Sequence, residues 1–129
     1  HAVHPHHPQK TDATNCVYMN EGIVVKSHAG QKYTSDAVSI AVFKDLCKKA
    51  NVPVQFFANR SDEAGGSTLG NIAMAQVSMN SVDIGLPQLA MHSTYETAGI
   101  KDTYYMIQVM TEFFNCHISE INTNVLKVD

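Results

Sequence analysis

The groups in this sequence that could do chemistry are imidazoles, a few carboxylates and isolated lysines. His1 opens the chain in His1-Ala2-Val3-His4-Pro5, and His92 lies far downstream in Leu86-Pro87-Gln88-Leu89-Ala90-Met91-His92-Ser93. Between them runs an acidic, glycine-rich stretch, Ser61-Asp62-Glu63-Ala64-Gly65-Gly66-Ser67-Thr68. Neutral imidazole suits borderline cations such as zinc or cobalt, and one such ion wants three or four donors at close range. The donors here are few and scattered. The pattern expected of such a chain is one part of a metal-dependent hydrolase, ending short of its active-site core.

Each candidate has a plainer reading beside the chemical one. His92 sits in a polar-flanked loop after a short strand, as a ligand or as a surface histidine. His1 and His4 would share a face only on a helix, and Pro5 argues against one. One inward and one outward histidine is expected instead. Asp62 and Glu63 could bind a metal, orient a histidine or receive a substrate amine, or form a solvated turn. Gly65-Gly66-Ser67-Thr68 before a helix could cradle an anion on backbone amides. It lacks the GxxxxGK[ST] phosphate-loop pattern. Lys26 and Lys32 are lone cations near a strand end and a helix start, where most lysines only solvate a surface.

Those residues need elements to hold them. Gly22 through Ser27, with Ile23-Val24-Val25 at its centre, predicts a strand. Thr34 or Ser35 is expected to cap a helix whose apolar stripe is Val38, Ala41, Val42 and Leu46, with Lys48 and Lys49 at its C-terminal end. Val54–Ala58 predicts a second strand, and residues 68–78 a short helix with Ile72, Ala75 and Val77 apolar. Residues 82–86 predict a third strand and 87–95 a loop. Residues 97–114 predict a long helix with Ile107, Met110, Phe113 and Phe114 in its second half. Residues 125–128 suggest a last short strand. Strand and helix alternate, the signature of a layered α/β fold, βαβαβα. Ligands in such sheets gather beyond the carboxyl ends of strands. The stretches at 59–68 and 87–95 are therefore expected to rise on one sheet edge, making Asp62 and His92 neighbours.

Composition narrows the classes. Charged residues are only 16% of the 129, against roughly 25% typical, so part of the surface is expected to be covered by something else. The net charge of −3 and the 9 lysines and arginines, with no basic run, argue against nucleic acid as a partner. Cys16, Cys47 and Cys116 form no CxxC pair and suggest free thiols in a reducing compartment. No apolar run approaches the roughly 18 residues of a membrane span. Residues 1–15 do not have the make-up of a signal peptide. A chain beginning at His1 without methionine is expected to be processed, trimmed or excerpted.

Taken together, His1-Ala2-Val3-His4-Pro5, Gly22-Ile23-Val24-Val25-Lys26, Gln31-Lys32-Tyr33, Asp62 with Gly66-Ser67-Thr68-Leu69-Gly70, and Gly85 through Ser93 resemble the M18 aminopeptidases, in order and at compatible spacing, from His1 to about Phe114. The resemblance implies a zinc-peptidase catalytic domain of which residues 1–129 are the C-terminal portion. It implies a two-metal centre, usually zinc, with cobalt or manganese as alternatives. His92 then matches a metal ligand, and His1, Lys26 and Tyr33 match substrate-binding residues. The other ligands and the general-base glutamate would lie upstream of His1, leaving this chain alone inactive. The implied activity is removal of N-terminal, acidic residues from peptides. The implied partners are the peptide, the remainder of the parent polypeptide and identical copies in a dodecamer. The implied location is the cytoplasm, with the vacuole as alternative. Family members often carry proline and cysteine where this chain has Ala64 and Gly65, which leaves substrate preference open. A different reading of the same residues is a non-catalytic α/β binding or scaffold domain, and a third is an anion-binding protein using Gly65–Thr68.

Overall fold

The computed structural model of the chain describes residues 1–123 and 125–129. Its central element is strand β1 (Ile23–Ser27), whose β-branched residues suit a pleated, buried position. Helix α1 (Ala37–Lys49) returns the chain, and strand β2 (Val54–Ala58) lies parallel to β1, in register from Ile23 against Val54 to Ser27 against Ala58. Helix α2 (Leu69–Gln76) leads to strand β3 (Ile84–Gly85), which pairs with the free side of β1, giving the order β2-β1-β3. Two-residue strands β4 (Gln88–Leu89) and β5 (Thr97–Ala98) pair with each other before helix α3 (Ile100–Asn115). A hairpin, β6 (Ile118–Asn122) with β7 (Val125–Val128), follows. The layered α/β order is the one read from the sequence, with β6 and the β4–β5 pair added.

Alternation along β1 separates two faces. Ile23 and Val25, both fully buried, join Phe43, Leu46 and Cys47 of α1, Val52, and Val109 of α3 in the core. Val24 and Lys26 point the other way, towards the N-terminal segment and the chain after Pro87. Ala2 and Val17, also buried, help cover that side, held by bonds from Ala2 N to Gln88 O (2.8 Å) and Val3 N to Val17 O (2.8 Å). Gly22 makes the approach to β1 feasible. Its φ of +117° suits glycine alone, and a Cβ there would strike the Pro53 carbonyl.

Several expectations are corrected. Helix α1 is capped by Asp36 in a reciprocal capping box with Ser39, because Thr34 and Ser35 direct their hydroxyls to Asp83 instead. Its buried face is Ser39, Phe43, Leu46 and Cys47, while Val38 and Val42 are only half-buried and Ala41 is exposed. Helix α3 starts at Ile100, since Thr97 and Ala98 are drawn into the pair with β4. Of its expected apolar residues Met110 packs on the core, whereas Ile107, Phe113 and Phe114 are exposed. Strand β3 runs antiparallel to β1, so the chain leaves it at the opposite end of the sheet from the end of β2, yet Gln88, Leu89 and Ala90 still line one cleft with Asn59, Gly65 and Gly66. Among the described residues no helix is long and apolar enough to cross a membrane.

Candidate active-site segment

The outward face of β1 and the end of β2 border two adjoining clefts. The first, of about 400 Å³, is lined by His1, His4, Tyr33, Asn59, Gly65 and Ala90 among others. The second, of about 250 Å³, lies against Lys26, Gly85 and Met91. His1, Phe57 and Gln88 line both. His1 is exposed and His4 half-buried, and both line the first cleft, in place of the expected one inward and one outward histidine.

Lys26 and Tyr33 are brought together by the turn after β1. The Lys26 ammonium sits 5.3 Å from the centre of the Tyr33 ring, an arrangement that favours the cation. The Tyr33 hydroxyl donates to Asn59 Oδ1 at 3.4 Å, which ties the turn to the end of β2. Burial, and then the negative charge of Asp83, raise the Tyr33 phenol above its usual pKa, so it remains a neutral donor at physiological pH.

Asp83 had no place in the sequence reading, although a carboxylate inside the apolar run Val82–Leu86 was a visible signal. Its Oδ2 accepts from Thr34 N (2.8 Å), Thr34 Oγ1 (3.1 Å) and Thr68 Oγ1 (2.8 Å). Its Oδ1 lies 3.9 Å from Lys26 Nζ. Its own N–H donates to Ser35 Oγ (2.8 Å), and its carbonyl accepts from Lys26 N (2.9 Å). Thr68 is the N-cap of α2 yet makes no capping bond. A cap contributes about 1 kcal/mol, and here the hydroxyl bonds Asp83 instead. The carboxylate thus occupies the N-terminal end of α2, where a negative charge is favoured. An anion expected at Gly65–Thr68 meets one that the chain itself supplies.

His92 occupies a loop of residues 90–96 closed at its base by the β4–β5 pair. Ala90 (φ 52°) and His92 (φ 68°) both adopt the left-handed region, at a cost of order 1–3 kcal/mol each. Two bonds hold them there. Ser93 N donates to Ala90 O (3.0 Å), and His92 N donates to Glu96 Oε1 (2.5 Å). The His92 side chain is exposed. The loop is also linked to the N-terminal segment, since Gln88 accepts from Ala2 next to His1. Glu96 was not anticipated, and neither was Asp102. Fully buried in the first turn of α3, Asp102 accepts from Asn20 N (2.5 Å) and Gly22 N (2.9 Å) and anchors the chain leading into β1.

The acidic turn is internally paired. Arg60 grips Asp62 through two nitrogens, at 2.9 and 2.5 Å, and also donates to the Gln9 carbonyl. That bond holds the Asp62 carboxyl below its ordinary pKa. Glu63 faces Lys10 at 3.9 Å. Asp62 and His92 therefore have different partners, Arg60 and Glu96. Among the described residues no three His, Cys, Asp or Glu side chains are grouped so as to hold a metal ion. A metal site drawing on His92 needs donors from outside this set.

An outward strand face and a constrained histidine loop on a layered α/β scaffold define a class of candidate, and comparison with known proteins specifies it. The family described as aminopeptidase I zinc metalloprotease (M18) matches residues 1–114. The chain belongs to the M18 family. It is 54% identical over 115 residues to a probable M18 family aminopeptidase 2 of Clostridium novyi, covering 89% of this chain and 27% of that protein. Its fold is similar to a chain in the cryo-EM structure of the Ape4 and Nbr1 complex, with a TM-score of 0.86 and 37% identity over 88% of this chain and 22% of the other. The crystal structure of aminopeptidase I from Clostridium acetobutylicum is similar at a TM-score of 0.75 and 26% identity, over 88% of this chain and 26% of that one. The chain thus spans about a quarter of the length of the relatives it matches.

Proposed function

We propose that residues 1–129 form the C-terminal portion of the catalytic domain of a metal-dependent aminopeptidase that removes N-terminal, acidic residues from peptides. The observation that carries this reading is the grouping of His1, Lys26 and Tyr33 around two adjoining clefts in a chain of the M18 family. His92 would supply one imidazole to a two-metal centre whose other donors lie outside the described residues. Such ions, zinc or alternatively cobalt or manganese, activate water and polarise the scissile carbonyl. Lys26 offers an ammonium to a substrate side-chain carboxylate, and neutral Tyr33 offers a hydroxyl beside it. His1 would donate towards the substrate carbonyl oxygen as negative charge develops there. The whole enzyme is expected to be a dodecamer in the cytoplasm or vacuole.

The test is an assay of the full-length protein on aspartyl and leucyl substrates with metal supplied. Preferential aspartyl cleavage supports the reading, and cleavage of neither overturns it. The lack of a three-donor group among the described residues favours a second reading, a non-catalytic scaffold domain. An upstream polypeptide carrying an aspartate at the third position before His1, with further His, Asp and Glu ligands, decides for the enzyme.

A further inference from the structure

We infer that Asp83 is a positioning residue that sets the acidic-substrate selectivity of the proposed site by holding Lys26 without occupying its hydrogen-bonding capacity. This inference rests on the proposed role of Lys26 as the partner of a substrate carboxylate.

The two oxygens of Asp83 do different work. Oδ2 accepts three hydrogen bonds from Thr34 and Thr68, which fix the plane of the carboxylate. Oδ1 is thereby turned to Lys26, at 3.9 Å. That distance is outside hydrogen-bond range but close enough for charge attraction. The Lys26 side chain is 27% exposed and that of Asp83 11%, so the attraction is sheltered while the ammonium still faces the cleft. Tyr33 lies against the ammonium on another side. A lysine in this state is restrained in place and keeps donors free for an incoming anion. A direct ion pair would consume them, and an unpaired lysine would wander into solvent.

Two segments converge to hold Asp83. The Thr34–Ser35 pair contributes three bonds, and in doing so leaves the capping of α1 to Asp36. Thr68 gives its hydroxyl to Asp83 although it stands at the N-cap of α2. Gly70, two residues further on, lets α2 approach closely. A Cβ there would lie 2.7 Å from the Thr34 methyl and 3.2 Å from Asp83 Oδ2. The Gly65–Thr68 stretch, legible in the sequence as an anion cradle, thus leads into a helix docked onto an internal carboxylate.

The experiment is a double-mutant cycle in the full-length enzyme, using Asp83→Asn and Lys26→Ala, with kcat and KM measured on aspartyl and alanyl substrates. Asparagine keeps the shape and one oxygen for Thr34 and Thr68, but presents an uncharged NH₂ to Lys26. The aspartyl-over-alanyl ratio of kcat/KM is expected to fall about tenfold in Asp83→Asn, mostly through KM. In the Lys26→Ala background the same change is expected to leave the ratio where Lys26→Ala alone puts it, because coupled residues are not additive. An unchanged or increased ratio in Asp83→Asn, or a full additional loss on top of Lys26→Ala, overturns the inference. If Lys26→Ala itself leaves the ratio untouched, the reading of Lys26 fails first. Should Asp83→Asn not fold, Thr68→Val decides the matter. It keeps the charge and removes one restraint, so a two- to fivefold fall in the ratio is expected, and no change overturns the inference.

Discussion

At position 92 a histidine is held in a left-handed conformation by a glutamate four residues on, at the exposed end of a pinned loop. His92→Ala in the full-length protein is expected to lower metal occupancy and nearly abolish turnover, because an ion would lose a direct donor. Metal analysis on the purified variant checks this, and two tightly held ions with normal activity would exclude His92 as a ligand. Lys26→Ala is expected to reduce kcat/KM on acidic substrates about ten- to a hundredfold, the equivalent of roughly 1.5–3 kcal/mol for a charge-assisted contact, and to affect alanyl substrates less. Equal losses on both would return Lys26 to a structural role. Cys47 is a different case. Burial among core residues pushes its thiol up to about 12 from 9.0. The folded state therefore keeps the proton that the unfolded chain releases near pH 9. This contribution to stability is whole below pH 9 and is lost progressively between about pH 9 and 12. In native protein at pH 8 a thiol reagent is expected to spare Cys47 while modifying the half-buried Cys16 and Cys116. Equal labelling of all three would contradict the packing.

Among elements, the start of α1 offers a clean test. Asp36 and Ser39 exchange bonds at 2.7 and 3.0 Å, satisfying two N–H groups of the helix start and the residue before it. Asp36→Ala is expected to cost about 0.5–2 kcal/mol, visible as a lower thermal or urea midpoint, whereas alanine at the expected cap Thr34 would act through Asp83 and on substrate selectivity. A second element is notable for what it fails to bury. Helix α2 has no buried residue, and Leu69 and Ile72 are 81% and 63% exposed. Its attachment is the Thr68–Asp83 bond, the Gly70 approach and the Asn71 amide on the Lys32 carbonyl (2.8 Å). Its apolar residues fit the expectation, drawn from the low charge, that part of this surface is covered.

For the molecule as a whole, purified residues 1–129 with added zinc or cobalt are expected to show no measurable aminopeptidase turnover, because no three-donor group is present among the described residues. Turnover within the ordinary enzyme range of about 1–10³ per second would show the site assignment to be wrong. The sequence by itself determined the layered α/β order, since apolar periodicity and the breaks at Pro53 and Pro87 are local signals. It also determined family membership, because ordered motifs survive without any geometry. The tertiary structure decided what those signals leave open. The direction of β3 depends on a pairing between residues some sixty positions apart, and it makes the chain leave β3 at the opposite end of the sheet from the end of β2. The choice of Asp36 over Thr34 or Ser35 as helix cap depends on where Asp83 lies, nearly fifty residues away in sequence. Asp83 itself stood in plain view as one charge in an apolar run. Its role arises only when β1, the Thr34–Ser35 turn and the start of α2 fold onto it, because a half-buried carboxylate must find its donors wherever the chain brings them.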